Sequence, residues 1–386
     1  MLIIHANIRT MEQTDYPDGY IRAENGKITE LGPMDRLPCP AEDAFDAKGM
    51  LLLPGLIDPH CHIGMWEDGL GFEGDDGNEE TDPLTPQLRA IDAVNPLDHC
   101  FEEARQAGIT TVVTGPGSAN PIGGEWLAMK TAGNCIDDML VKAPVGMKFA
   151  LGENPKASYN SKSQTPVTRM ATAALIREQL AKARRYREDL ARAEEDLDCD
   201  KPEYDAKCEA LLPVLGRRSK AFFHAHRADD ICTAIRIAKE FGLDYVLVHC
   251  TEGHLIPEVL RREHCPVIIG PVICDRSKPE LKNLSPALGG ILAGQGLPVA
   301  LCTDHPAVPI QYLALSGLIA VSEGLDREAA LRAVTCEAAR SCGIGDRVGS
   351  IAPGKDADFV LFDGDPLAAC QKPAAVFING VQVYTR

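Results

Sequence analysis

Basic residues are in deficit. Lys plus Arg number 39 against 56 for Asp plus Glu, a formal net charge of −17 over 386 residues. A chain this acidic lacks the electrostatic footprint of a nucleic-acid or anionic-membrane binder, so the expected partner is a small-molecule substrate. No apolar run reaches the ~18 residues of a membrane span, and no basic n-region precedes an apolar segment at the start. The 14 cysteines are scattered without a CxxC pair, which excludes a zinc knot and a disulfide framework. They are expected to be reduced thiols of a cytoplasmic protein, mostly small core residues. Aromatic residues make up only 5%, and no aromatic-rich pocket signature stands out.

What is present is ordinary globular material, 45% hydrophobic and 25% charged. The length suits one barrel of ~250 residues plus a smaller domain. The first fifty residues read as strands, with Asn25-Gly26 as a hairpin signal between 20–23 and 27–31. After residue 64 a long excursion, 65–95, carries nine acids and one base, Arg89. It is either a lid that disfavours anionic substrates or, the preferred plainer reading, a solvated acidic surface or subunit contact. Residues 96–107 read as a helix with Asn95 as N-cap, and Leu97 and Phe101 on its apolar stripe. Strand 109–113 runs into a Gly-rich loop at 114–124. That loop lacks a phosphate-binding pattern and is either a tight turn or a substrate contact.

Two positions compete for the third strand of the series, 126–130 and 139–141, and 147–151 is a clearer one. Residues 166–195 and 204–215 read as helices, the first with Met170, Ile176, Leu180 and Tyr186 on one stripe. Strands follow at 220–226, 245–249, 267–272 and 299–303, separated by helical segments. Such alternation points to a parallel βα barrel. The tail returns to strands, with Asn379-Gly380 as a second hairpin signal, and is expected to pair with the N-terminal strands.

The stretch Met50 to Gly64, MLLLPGLIDPHCHIG, organises the rest. An apolar run ends in His60 and His62, which alternation puts on one face with Asp58, leaving Cys61 on the other. Two imidazoles at a strand end can chelate a divalent ion. Other strand ends add Glu153, His224 with His226, His249 and Asp304. A single buried His is as easily a core residue, and that is the reading for His226 or His254 taken alone. Five separate strands supplying ligand-type residues at one end favour a metal site.

The first strand resembles the signature PG(L/I)(I/V)DxHxH of the amidohydrolase superfamily through Pro54, Gly55, Leu56, Ile57, Asp58, His60 and His62. The later HxH at His224 and His226, the VHC at His249, CTDHP at Asp304 and the tail VGSIAPGKDADFVLFD match in order. The chain is most similar to the imidazolonepropionase-like branch of metal-dependent hydrolases. The resemblance implies an α/β fold, a (β/α)8 TIM barrel over residues 53–345. A small β-sandwich would be built from 1–52 and 346–386. It implies one or two divalent ions, zinc by default, with manganese, iron or nickel equally suited. His60, His62 and Asp304 would hold the first ion, and His224 and His249 the second. The bridge would be a carboxylated lysine or a glutamate. Glu153 is preferred because Lys148 lies five residues deeper in its strand. His226, Asn120 and Arg227 are candidate substrate contacts.

The implied chemistry is hydrolysis of a C–N bond in an amide, cyclic imide or dipeptide-like substrate by a metal-activated hydroxide, with Asp304 as general base and then general acid. A deaminase of a heterocycle or amidine is the alternative. A catalytically silent scaffold is disfavoured because every expected ligand position is filled. The resemblance also implies a homo-oligomer.

Overall fold

The computed structural model describes residues 1–37, 43–196, 198–369 and 371–386. Two eight-stranded sheets organise them. The first collects both ends of the chain. Its strands lie in the order Val381–Thr385, Ala375–Ile378, Phe359–Phe362, Leu51–Pro54, Leu2–Ile8, Tyr16–Glu24 and Lys27–Pro33, with Phe45–Asp46 on Leu2–Ile8. The seam between the two termini is an antiparallel pair, with Val360 opposite Leu53. Both expected hairpins form. Asn25 and Gly26 have φ of 51° and 77°, and Asn379 and Gly380 have 49° and 75°. Two successive positive φ values suit a two-residue turn to the twist of its strands, which is why Asn-Gly stands at both. Ile3, Ile8, Ile21, Leu52, Phe359 and Phe377 share this sheet's core.

The second sheet is the barrel. Its strands are β1 Leu56–Cys61, β2 Ile109–Thr114, β3 Ile122–Lys130, β4 Leu140–Ala150, β5 Lys220–Ala225, β6 Tyr245–His249, β7 Val267–Ile269 and β8 Val299–Leu301. Neighbours in sequence are neighbours in the sheet. Closure between β8 and β1 comes just past the strand ends, where Asp304 N donates to His60 O (3.1 Å) and His62 N to His305 O (2.9 Å). Below, Asp58 accepts from Thr303 N at 3.2 Å and from its hydroxyl.

One feature departs from the expected all-parallel barrel. The third strand stands at the first candidate position, within β3, whereas the second candidate is the beginning of β4, continuous with the segment expected at 147–151. β3 runs antiparallel to β2 and to β4. The reason is connection length. Parallel neighbours need a crossover of about a dozen residues or more, and only residues 115–121 and 131–139 are available on either side of β3. The reversal puts the start of β3, and the Gly-rich loop before it, at the mouth where the other strands end.

The acidic excursion lies along the start of β3. Thr85 N donates to Ile122 O (2.9 Å) and Glu125 N to Leu88 O (2.8 Å). The helix after it starts later than expected and spans Cys100–Gln106. Asn95 Oδ1 still accepts from Leu97 N (3.0 Å), but in a turn ahead of that helix, while its amide bonds Glu67, and Leu97 is exposed rather than on the stripe. The long helices are Arg169–Glu195, capped by Thr168, and Ala206–Leu215, capped by Asp205. Met170 points to solvent, whereas Ile176, Leu180 and Tyr186 are buried.

At the bottom of the barrel β3 ends on Lys130, which is buried against Asp358 and Asp356 of the C-terminal segment (2.9 Å to Asp356). Arg347 (2.8 Å) and Lys27 also bind Asp356. Eight of the described cysteines are buried, as expected of core thiols, and none is in a disulfide; Cys39 and Cys370 lie outside the described residues. No described helix is long and apolar enough to cross a membrane.

Candidate metal centre at the barrel mouth

Two three-residue clusters face one another at the C-terminal end of the barrel. His60, His62 and Asp304 form one, and His224, His226 and His249 the other, with the ligand atoms of each within 4.8 Å of one another. Asp304 Oδ1 is 3.6 Å from His60 Nε2 and 3.5 Å from His62 Nε2. The imidazoles interlock, with His60 and His249 centroids 5.2 Å apart and His224 and His249 4.5 Å apart. His226, expected to contact substrate or to complete the shell, sits in the second cluster.

The second nitrogens set the tautomers. His62 Nδ1 lies 2.7 Å from Gly115 O, and His249 Nδ1 lies 2.6 Å from Gly270 O. A carbonyl only accepts, so each Nδ1 carries the proton and each Nε2 turns a lone pair into the cavity, the form a metal requires. His226 Nδ1 meets the Thr251 hydroxyl at 2.7 Å. Burial drives His60, His224 and His226 well below the ordinary imidazole pKa and His249 down to about 4, so all four are neutral. Burial alone would raise the Asp304 carboxyl, but His249, His62 and Lys148 hold it below its usual value. Neutral imidazoles with an ionised carboxylate are a donor set that fits a divalent transition ion.

Backbone strain marks the same place. His249 (φ 69°) and Asp304 (φ 55°) adopt left-handed conformations without being glycine. Such residues cost about 1–3 kcal/mol each and persist where the surroundings fix them.

The Glu153 expectation is corrected. Glu153 opens the helix Glu153–Asn160, and its carboxylate accepts from Glu280 N at 3.2 Å instead of facing the clusters. It turns away because β4 ends at Ala150 and Gly152 takes φ 94°, redirecting the chain. Lys148 occupies the position between the clusters, its Nζ 3.2 Å from His60 Nε2. It is fully buried, and burial lowers its pKa to about 7. A lysine in the apolar strand segment Val-Gly-Met-Lys-Phe-Ala was the available signal.

Two substrate-contact expectations are also corrected. Asn120 is buried behind the wall, donating to Thr85 Oγ1 (2.8 Å) and accepting from Tyr159 (2.6 Å). Arg227 forks onto Asp229 at the surface (2.8 and 3.0 Å). Neither lines the cavity of about 550 Å³ above the clusters. Asp58 stays beneath the floor, and burial raises its pKa to about 7 against its bonds from Thr303. The cavity walls are Trp66, Gly117 to Ala119, Asn154, Lys278 and Pro306. The Gly-rich loop therefore does reach it. Of the nine acids in the excursion only Glu80 lines it, and Lys162 pairs with Glu80 at 2.7 Å. The excursion is not an anion-repelling lid over this cavity.

An eight-stranded barrel with paired His/Asp clusters at its C-terminal mouth is the architecture of metal-dependent hydrolases. The chain belongs to the amidohydrolase family, whose model matches residues 51–383. Amidohydrolase tasK of Hapsidospora irregularis is 32% identical over 397 residues, covering 94% of this chain but only 39% of that protein. An imidazolonepropionase of Syntrophobacter fumaroxidans is 43% identical over 76 residues, 18% of this chain and 17% of its own length. Among solved structures, an amidohydrolase from Thermotoga maritima MSB8 superposes with a TM-score of 0.95 at 39% identity, over 100% of both chains.

Proposed function

We propose that this chain hydrolyses a C–N bond in an amide, cyclic imide or dipeptide-like substrate at a centre of two divalent ions. His60, His62 and Asp304 would hold one ion, and His224 and His249, joined by His226, the other. The observation that carries the reading is the pair of clusters in one cavity with Lys148 between them. When bound, the ions supply an acidified water and a polarised carbonyl.

The chain's own residues do the rest. Gly115 and Gly270 carbonyls hold His62 and His249 in the ligating tautomer. Asp304, kept ionised at neutral pH, takes the proton from the attacking water and returns it to the leaving nitrogen. Trp66 packs edge-on against His62, with centroids 4.5 Å apart, and screens that side of the floor from bulk water. Lys148 is suited to carry a carbamate. Its neutral amine, accessible near pH 7 because of burial, adds to carbon dioxide with loss of one proton, giving a bidentate anion where a bridge is needed. Zinc is the default ion. The barrel at 53–345 would be the catalytic unit, with 1–52 and 346–386 as its companion.

Elemental analysis of protein purified without added metal tests the reading, on wild type and Lys148→Ala. About two ions per chain in wild type and fewer in the variant are expected, with turnover in a screen of amides, cyclic imides and dipeptides. One ion in both would remove the bridge. Ammonia released from amidines or heterocycles, with no amide turnover, would replace hydrolase by deaminase.

A further inference from the structure

The cavity walls carry few charges above the metal-ligand floor, and one of them is held with unusual care. Lys278 lies on the connection after β7 and lines the cavity. Its Nζ donates to Asn154 Oδ1 at 2.9 Å and pairs with Glu280 Oε1 at 2.8 Å. Both partners are fixed in turn. Asn154 Nδ2 donates to Ser118 Oγ at 2.8 Å and lies 3.5 Å from His224 Nε2, which puts the ammonium beside the second cluster.

Glu280 is buried, at 1% exposure. It is clasped reciprocally to Glu153: Glu153 N donates to Glu280 Oε2 (2.9 Å), and Glu280 N to Glu153 Oε2 (3.2 Å). This clasp is the use of Glu153. An ammonium has three donors. Asn154 takes one in a hydrogen bond and Glu280 lies beside the ammonium as an ion pair, which leaves donor capacity for the cavity. The other wall charge, Glu80, is already paired with Lys162.

We propose that Lys278 is the docking point for a substrate carboxylate, so that the preferred substrates are amides bearing an anionic group a few bonds from the scissile carbonyl. The inference rests on the hydrolase reading above and narrows it. The ammonium is pre-oriented, so little side-chain entropy is lost on binding. A charge-assisted bond in this sheltered place adds selectivity that a neutral amide cannot obtain. The Ser118, Ser158 and Ser277 hydroxyls on the same walls can serve the remaining carboxylate lone pairs.

The test uses metal-loaded enzyme and two chelating probes, acetohydroxamate and the monohydroxamate of succinic acid, with dissociation constants from titration calorimetry. Wild type is expected to bind the carboxylate-bearing probe about tenfold or more tighter than the neutral one. In Lys278→Met that ratio should fall to near one, and Lys278→Arg should restore part of it. Because Lys278→Met leaves Glu280 buried and unpaired, the double variant Lys278→Met/Glu280→Gln is measured beside it and should show the same loss. Equal binding of both probes by wild type, or a preference that survives in both Met variants, overturns the inference and leaves the hydrolase reading intact. If neither probe binds, the metal reading itself fails and this inference falls with it.

Discussion

Asp304 concentrates several demands in one residue. It sits in a left-handed backbone conformation, faces both His60 and His62, and is kept ionised despite partial burial. Asp304→Asn keeps the shape and removes the proposed proton acceptor. Turnover should fall by about 10²–10⁴-fold, the usual worth of a general acid–base group. Metal content in the same preparation separates lost proton transfer from lost ligation, and unchanged turnover would remove Asp304 from the chemistry. His60, His62, His224, His249 and Asp304 were legible in the sequence because strand alternation and strand-end position announce them. Lys148 was misjudged because depth along a strand was read as distance from the site, whereas a long side chain rises through the barrel interior to His60. Lys278 stands on an irregular connection and Asn154 in the first turn of the short helix Glu153–Asn160, where no long periodic stripe marks the inward face.

At the scale of elements, the weld between the foot of β3 and the C-terminal segment is the informative one. Burial would raise the Asp356 carboxyl, but the Lys130 charge and the bonds from Arg347 and Lys27 hold it down at about 2, against an ordinary 3.8. A depressed acid stabilises the fold above its unfolded pKa. That stabilisation is present above pH ~4 and is lost as the pH falls toward ~2, up to about 2 kcal/mol in all. Asp356→Asn should therefore be less stable at neutral pH and should flatten the acid limb of the stability curve, read by urea unfolding at stepped pH. An acid limb as steep as that of wild type would contradict the assignment. The existence of β3 was legible in its composition, but its direction was not. Alternation is the same read either way, and only the short connections on both sides betray the reversal.

For the whole molecule, the clusters draw on β1, β5, β6 and the turn after β8, so one bound ion would tie β1 to the β8 turn and the other would tie β5 to β6. A ligand at about a thousand times its dissociation constant stabilises the native state by about 4 kcal/mol. Removing metal with a chelator is expected to lower Tm by several degrees in calorimetry, with recovery on adding zinc; an unchanged Tm would argue against tightly held ions. The pairing of the two chain ends was legible from the matched Asn-Gly hairpins and the return of strand character in the tail.

The reversed β3 has a consequence for how the chain reaches this state. With β2, β3 and β4 joined as a meander, the segment Ile109 to Ala150 can pair using only near neighbours. Closing the barrel requires Thr303 to find Asp58 across most of the sequence. Short loops cost less entropy to close than long ones, so near-neighbour pairing leads. In pulse-labelled hydrogen exchange during refolding, amides of β2 to β4 should gain protection first and those of residues 302–305 last. The catalytic floor would then be the final part of the molecule to assemble.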